Sequence, residues 1–220
     1  MPTPLAPLSL VQTRVLGVLV EKQRAVPDTY PLSLNALTAG CNQKTSRDPI
    51  LDLTEAQVQV TVDELRSASL VIESSGGRVM RYAHNVERVL ELPGPAVALL
   101  AVLMLRGPQT VGELRINTDR LHRFADTSTV EAFLHELAAR PAGALVVELA
   151  RAPGARETRW AHLLSGAPAA AIAEVPAAAP STQTPQHDLA ALEQRIAALE
   201  ATIARLDAAL QQALARSAQD

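Results

Sequence analysis

The first clear pattern in the chain is an apolar stripe in which Leu10, Val11, Val15, Leu16, Val18 and Leu19 recur at helical spacing. "DTYPLSLNALTAG" predicts a second helix, introduced by Pro31, whose missing N–H is harmless in a first turn, and stopped near Gly40. A third helix is predicted from "LTEAQVQVTVDELRSASLV". Thr54 and Gln57 have the spacing of a capping box there, and Val58, Val62 and Leu65 share one face. "SLVIESSGGRVMRYAHN" then places two short β-branched runs around Ser74–Gly77, which predicts a hairpin. "LPGPA" at Leu92–Ala96 ends this region, because proline and glycine together interrupt regular structure.

The same order then returns. Ala96–Leu105 is apolar, "TVGELRIN" reads as a short helix, and "ADTSTVEAFLHELAAR" starts from a cap at Asp126. "ALVVELARAPGARETRWAHLL" supplies strand, glycine turn and strand. Val130, Leu134 and Leu137 repeat the spacing of Val58, Val62 and Leu65, so the unit is an internal repeat. Helix, helix, helix, hairpin is the order of a winged helix-turn-helix domain. The expected fold is therefore mostly α with small β-hairpins. Two tandem winged helix-turn-helix domains, 8–92 and 93–165, are followed by an Ala/Pro-rich linker over 166–187 and a coiled-coil helix over 188–217.

The last segment carries a heptad. Leu189, Ile196, Ile203 and Leu210 fall at a, and Leu192, Leu199, Leu206 and Ala213 at d. β-Branched residues at a with leucine at d favour a parallel two-stranded coil, and Arg195 at g can pair with Glu200 at e of a second chain. Homodimerisation through this helix is the expectation. A lone amphipathic helix docking on its own domains is the alternative.

Composition narrows the function classes. Of 20 basic and 23 acidic side chains, three and six lie in 166–220, which leaves 17 of each sign in 1–165. A domain that holds DNA mainly by charge is normally clearly basic, so this balance argues against strong non-specific binding. Eighteen arginines stand against two lysines, Lys22 and Lys44. Five aromatics leave no stacking platform for single-stranded nucleic acid. The single cysteine, Cys41, excludes an intramolecular disulfide and reads as a small packed side chain. "MPTPLAPLSL" lacks the features of a signal peptide, and no run of about 18 apolar residues predicts a membrane span. The expectation is a cytoplasmic protein.

No catalytic constellation is legible, so no enzyme, cofactor or metal is expected. His135-Glu136 begins like a zinc-protease helix, but residue 139 is alanine where the second ligand would stand. The remaining histidines show no ligand spacing. "SSGGR" at Ser74–Arg78 lacks the lysine and following helix of a phosphate loop.

"VLGVLVEKQ", "YPLSLNALTAGCNQKTSRDP", "LRGPQTVGELR" and "LHRFAD" closely resemble the YceH-like family of uncharacterised bacterial proteins, over roughly Leu8 to Leu164. That resemblance implies a pair of winged-helix domains and no established activity. The chain departs from the expected family pattern at "RINTDR", where Ile116 and Asn117 replace a more arginine-rich stretch.

Two functions compete. A winged helix that reads DNA does so from the start of its third helix. Outward positions there include Glu55, Gln57, Gln59, Val60 and Asp63, and in the second repeat Thr129, Glu131, Ala132 and His135, with no lysine or arginine. Cations lie instead in inserts and wings, which can hold phosphates without reading bases. The candidate DNA-holding residues are Asn42, Gln43, Lys44, Ser46 and Arg47 in the first insert, Arg78 and Arg81 at the first hairpin, Arg120 and Arg123 in the second insert, and Arg156 in the second hairpin. The first insert has another reading, as an internal clasp in which Asn42 and Asp48 brace the helices. The leading expectation is a non-enzymatic, DNA-associated regulator or chromosome factor. The alternative is a protein-interaction adaptor that binds no DNA.

Overall fold

A computed structural model of the 220-residue chain describes residues 6–74 and 79–168. The linker, the heptad helix with Leu189, Leu192, Ile196, Leu199, Ile203, Leu206 and Leu210, and the hairpin-tip residue Arg78 lie outside those residues.

The described part is mostly helical with two small antiparallel sheets. Helix α1 (Leu10–Ala25) opens on a capping box between Ser9 and Gln12. Helix α2 (Leu34–Cys41) is followed by the polar insert and by α3 (Glu55–Ser67), where the Thr54–Gln57 box is formed and Val58, Val62 and Leu65 are buried. Strands β2 (Val71–Ser74) and β3 (Arg81–His84) make the hairpin.

The order recurs as α5 (Gly94–Arg106), α6 (Val111–Asn117), α7 (Thr127–Ala138), β4 (Val146–Leu149) and β5 (Arg159–His162). Asp126 caps α7, and Val130, Leu134 and Leu137 are buried as their spacing predicts.

Two local differences have physical reasons. The second helix does not begin at Pro31. Leu32–Ser33 form a strand, β1, paired with Tyr82 and Arg81 of β3, and the Ser33 hydroxyl accepts from the Ala36 N–H to cap α2. A serine side chain satisfies an orphan helix donor, whereas proline only avoids creating one. A short helix, α4 (Val86–Val89), joins the first repeat to α5.

In α5 the run Ala96–Leu105 is buried throughout, as a helix apolar on every side requires. Its principal partner is α1, which is buried from Thr13 to Val20. One apolar core runs through both repeats, from Leu16 and Leu65 to Leu103 and Leu134. The segment before α1 is tied to the segment after β5, with the Leu8 N–H donating to the Leu164 carbonyl at 2.7 Å.

Candidate interaction surface

Within the polar insert between α2 and α3, Arg47 is buried and Asn42, Gln43 and Ser46 are half-buried, whereas Lys44, Thr45, Asp48, Pro49 and Ile50 are exposed. Asn42 grips the main chain of Leu53 from both sides, its amide donating to the carbonyl and its oxygen accepting from the N–H, each at 2.8 Å. Gln43 Oε1 accepts from Lys22 Nζ and from Arg47 Nη2, both at 3.3 Å. Ser46 Oγ accepts from Arg106 Nη2 at 2.7 Å, and the Asp48 N–H donates to the Leu105 carbonyl at 2.8 Å, so the insert closes the C-terminal end of α5.

Arg47 is the centre of this arrangement. Its side chain has no exposed surface and forks onto Glu21, with Nη1 to Oε1 at 3.1 Å and Nη2 to Oε2 at 2.6 Å. Nε donates to the Gly40 carbonyl at 3.2 Å. Burial alone would raise the Glu21 pKa. The hydrogen bond and charge of Arg47, helped by Lys22, outweigh that and hold it below its ordinary value. Arg14 is buried alongside, donating to the Cys41 and Pro49 carbonyls at 3.1 and 2.5 Å. Its pKa is lowered by burial first and then by Arg47. Burial pushes the Cys41 thiol up to about 12, so the thiol is packed and unreactive at neutral pH.

As a set of surface donors the insert thus reduces to one exposed cation, Lys44. Arg47 is withdrawn because its guanidinium finds the Glu21 carboxylate, the Gly40 and Ser46 carbonyls and Gln43 Oε1 on the inner side. The clasp reading describes the stretch, although its anchor is the Glu21–Arg47 pair rather than Asp48. Glu21 was the residue that sequence reasoning missed. Its only signal is an acid following the apolar run "VLGVLV".

Of the other candidate cations among the described residues, Arg81 and Arg123 are engaged by protein partners. Arg81 is exposed and donates to the Pro31 carbonyl at 2.8 Å. Arg123 pairs with Asp119 at 3.1 Å, and Arg159 with Glu113 at 3.0 Å. Arg120 is exposed. Arg151 and Arg156 border a hollow of about 400 Å³ beside the start of α7, shared with Glu131 and Glu157.

On α3 the exposed face carries Glu55, Asp63 and Glu64 against one arginine, Arg66, together with Gln57 and Ser67. Glu55 accepts from Asn35, and Gln59 links Asp63 to the Tyr82 hydroxyl. Val60 among them is 59% exposed. Ile72 on β2 and Ile116 on α6 are 52% and 72% exposed. Among the described residues no group of three His, Cys, Asp or Glu could hold a metal ion, and no helix is long and apolar enough to cross a membrane.

Residues 8–155 match the family described as protein of unknown function, DUF480. The chain belongs to this family. It is 60% identical over 189 residues to the UPF0502 protein of Dechloromonas aromatica, covering 86% of this chain and 87% of that one. It is 65% identical over 159 residues to the UPF0502 protein of Leptothrix cholodnii, covering 72% and 71%. With the UPF0502 protein of an Acidovorax species it shares 55% identity over 193 residues, covering 86% and 85%. In DUF480 terms the matched span takes in the insert, α3 and both repeats up to the second hairpin loop.

Proposed function

We propose that this DUF480 protein is a non-catalytic adaptor, two tandem winged helices whose working surface binds protein, with the heptad of 188–217 pairing two copies. The observation that carries this reading is the outward face of α3. The position from which a DNA-reading winged helix contacts bases presents Glu55, Asp63 and an exposed Val60. Acids next to a duplex are repelled by its phosphates, and an exposed aliphatic side chain gains nothing from them. The exposed aliphatic side chain suits the apolar centre of a protein contact, and the acids suit its polar rim. The inward turn of Arg47 supports the same reading, since it takes from the first insert the arginine that a phosphate contact would use.

The DNA-associated reading keeps one specific support. Arg151 and Arg156 stand at the second hairpin beside the first turn of α7, where a wing and helix start would meet a phosphate backbone together.

One experiment separates the two. A photo-crosslinking amino acid is placed at position 60 in one variant and at position 156 in another, and adducts formed in cells are tested with nuclease and protease. The adaptor reading expects a nuclease-resistant, protease-sensitive adduct at position 60. A nuclease-sensitive adduct at 156, with none at 60, overturns it in favour of DNA.

A further inference from the structure

Strand β2 is an edge strand: in the order β1–β3–β2 it pairs only with β3. The direction of its remaining main-chain groups follows from the register. The Asn85 N–H donates to the Leu70 carbonyl at 2.8 Å, which makes Leu70–Asn85 a hydrogen-bonded pair. Antiparallel pairs alternate. Ile72 and Ser74 therefore bond to Ala83 and Arg81, while the N–H and C=O of Val71 and Glu73 point away from β3. The His84 N–H, opposite Val71, is turned off the hairpin to the Tyr30 hydroxyl at 2.7 Å, as that alternation requires.

An open groove of about 470 Å³ runs beside this edge, between β2 and the C-terminal half of α3, lined by Asp63, Arg66, Ser67, Val71, Ile72 and Glu73. Arg66 bridges Asp63 at 3.2 Å and Glu73 at 3.0 Å, so two acids share one cation and one negative charge is left over. Ile72 emerges on the strand face opposite Glu73 and is half exposed. Proteins usually protect edge strands with charge or cover, because bare main chain is a template for another strand. Here the exposed isoleucine and the open groove leave that template accessible.

We propose that the β2 edge receives an extended, basic segment of a partner protein by strand addition. The incoming strand bonds to the main chain of Val71 and Glu73, sets a basic side chain over Asp63 and Glu73, and lays an apolar one on Ile72. The proposal rests on the adaptor reading and names its site and the chemistry of its partner. A second copy of this chain is a poorer occupant, because β2 against β2 brings the acids of one copy toward those of the other.

The test uses the full chain and a synthetic peptide of four Lys-Val repeats, followed by residue-resolved amide hydrogen exchange. Addition of the peptide is expected to slow exchange at Val71 and Glu73, and a Glu-Val peptide of equal length is expected not to. Glu73→Pro removes an outward N–H at an edge position where proline is tolerated, and should weaken binding about tenfold or more. Glu73→Gln keeps the N–H and the strand and should weaken it less, which separates loss of the site from loss of the fold. Protection centred on Val60 instead would overturn the edge site while leaving the adaptor reading standing. No protection anywhere overturns the edge site, whereas the adaptor reading falls only on the crosslinks at positions 60 and 156. A peptide-free dimer that Glu73→Pro dissociates would assign the edge to a second copy and overturn the proposal as well.

Discussion

Lys44 and Arg47 stand three residues apart in one polar stretch, yet only Lys44 is exposed. Reach and neighbours decide this: Arg47 finds Glu21 and the Gly40 carbonyl within hydrogen-bonding distance. Removing one partner of a buried ion pair leaves the other charged and poorly solvated. Arg47→Ala is accordingly expected to cost about 3 kcal/mol or more in urea unfolding. Arg47→Lys should recover little of it, because an ammonium cannot reproduce the fork onto both Glu21 oxygens. Lys44→Ala should stay within about 0.5 kcal/mol of the parent. If Arg47→Ala proved as mild as Lys44→Ala, the clasp would not hold the insert.

At the scale of elements, the crossing of α1 and α5 governs the packing. A Cβ on Gly17 would lie 2.8 Å from Leu105 Cγ and 2.9 Å from Cδ2. Glycine mid-helix costs about 1 kcal/mol relative to alanine, so propensity alone would make Gly17→Ala stabilising. The close approach reverses the sign, and the substitution is expected to destabilise by about 1–3 kcal/mol. Leu105→Ala in the same chain should relieve part of that loss, so the two changes are less than additive in a double-mutant cycle. Additive losses would show that the helices do not meet at this point. Gly40, whose Cβ would meet Val18 Cγ1 at 2.6 Å, makes the matching close approach between α1 and α2.

At the scale of the described molecule, the continuous core predicts that both repeats unfold together. His84 is buried in the first repeat and His162 half-buried in the second, and desolvation lowers both from the ordinary 6.5 to about 4. A histidine kept neutral in the folded state contributes stability in full above its unfolded pKa. That contribution is lost as pH falls from about 6.5 toward 4, where the unfolded chain binds protons the folded one does not. Calorimetry should therefore give one transition whose midpoint drops across this window. His84→Gln and His162→Phe should each flatten the drop, by up to about 1.4 kcal/mol per pH unit for each proton removed from the balance. Two separate transitions, each responding to only one of the substitutions, would mean that α1 and α5 do not couple the repeats.

Sequence alone determined what depends on neighbours a few residues away. Caps at Thr54 and Asp126, the helical spacing of Val58, Val62 and Leu65 and its echo in Val130, Leu134 and Leu137, and the two hairpins are all local signals. A capping bond or a helix face closes within one or two turns of chain. Strand β1 escaped because two residues have no periodicity, and Leu32–Ser33 become a strand only when Tyr82 and Arg81 arrive from some fifty residues away. The fate of the insert escaped for the same reason. "CNQKTSRDPI" is equally polar whether it faces water or the cluster of Glu21, Arg14 and Arg106, and composition cannot tell a solvated donor from a satisfied buried one. The open edge of β2 also needed the fold, since which main-chain groups stay unpaired is fixed by register between strands, a relation that no stretch of sequence contains.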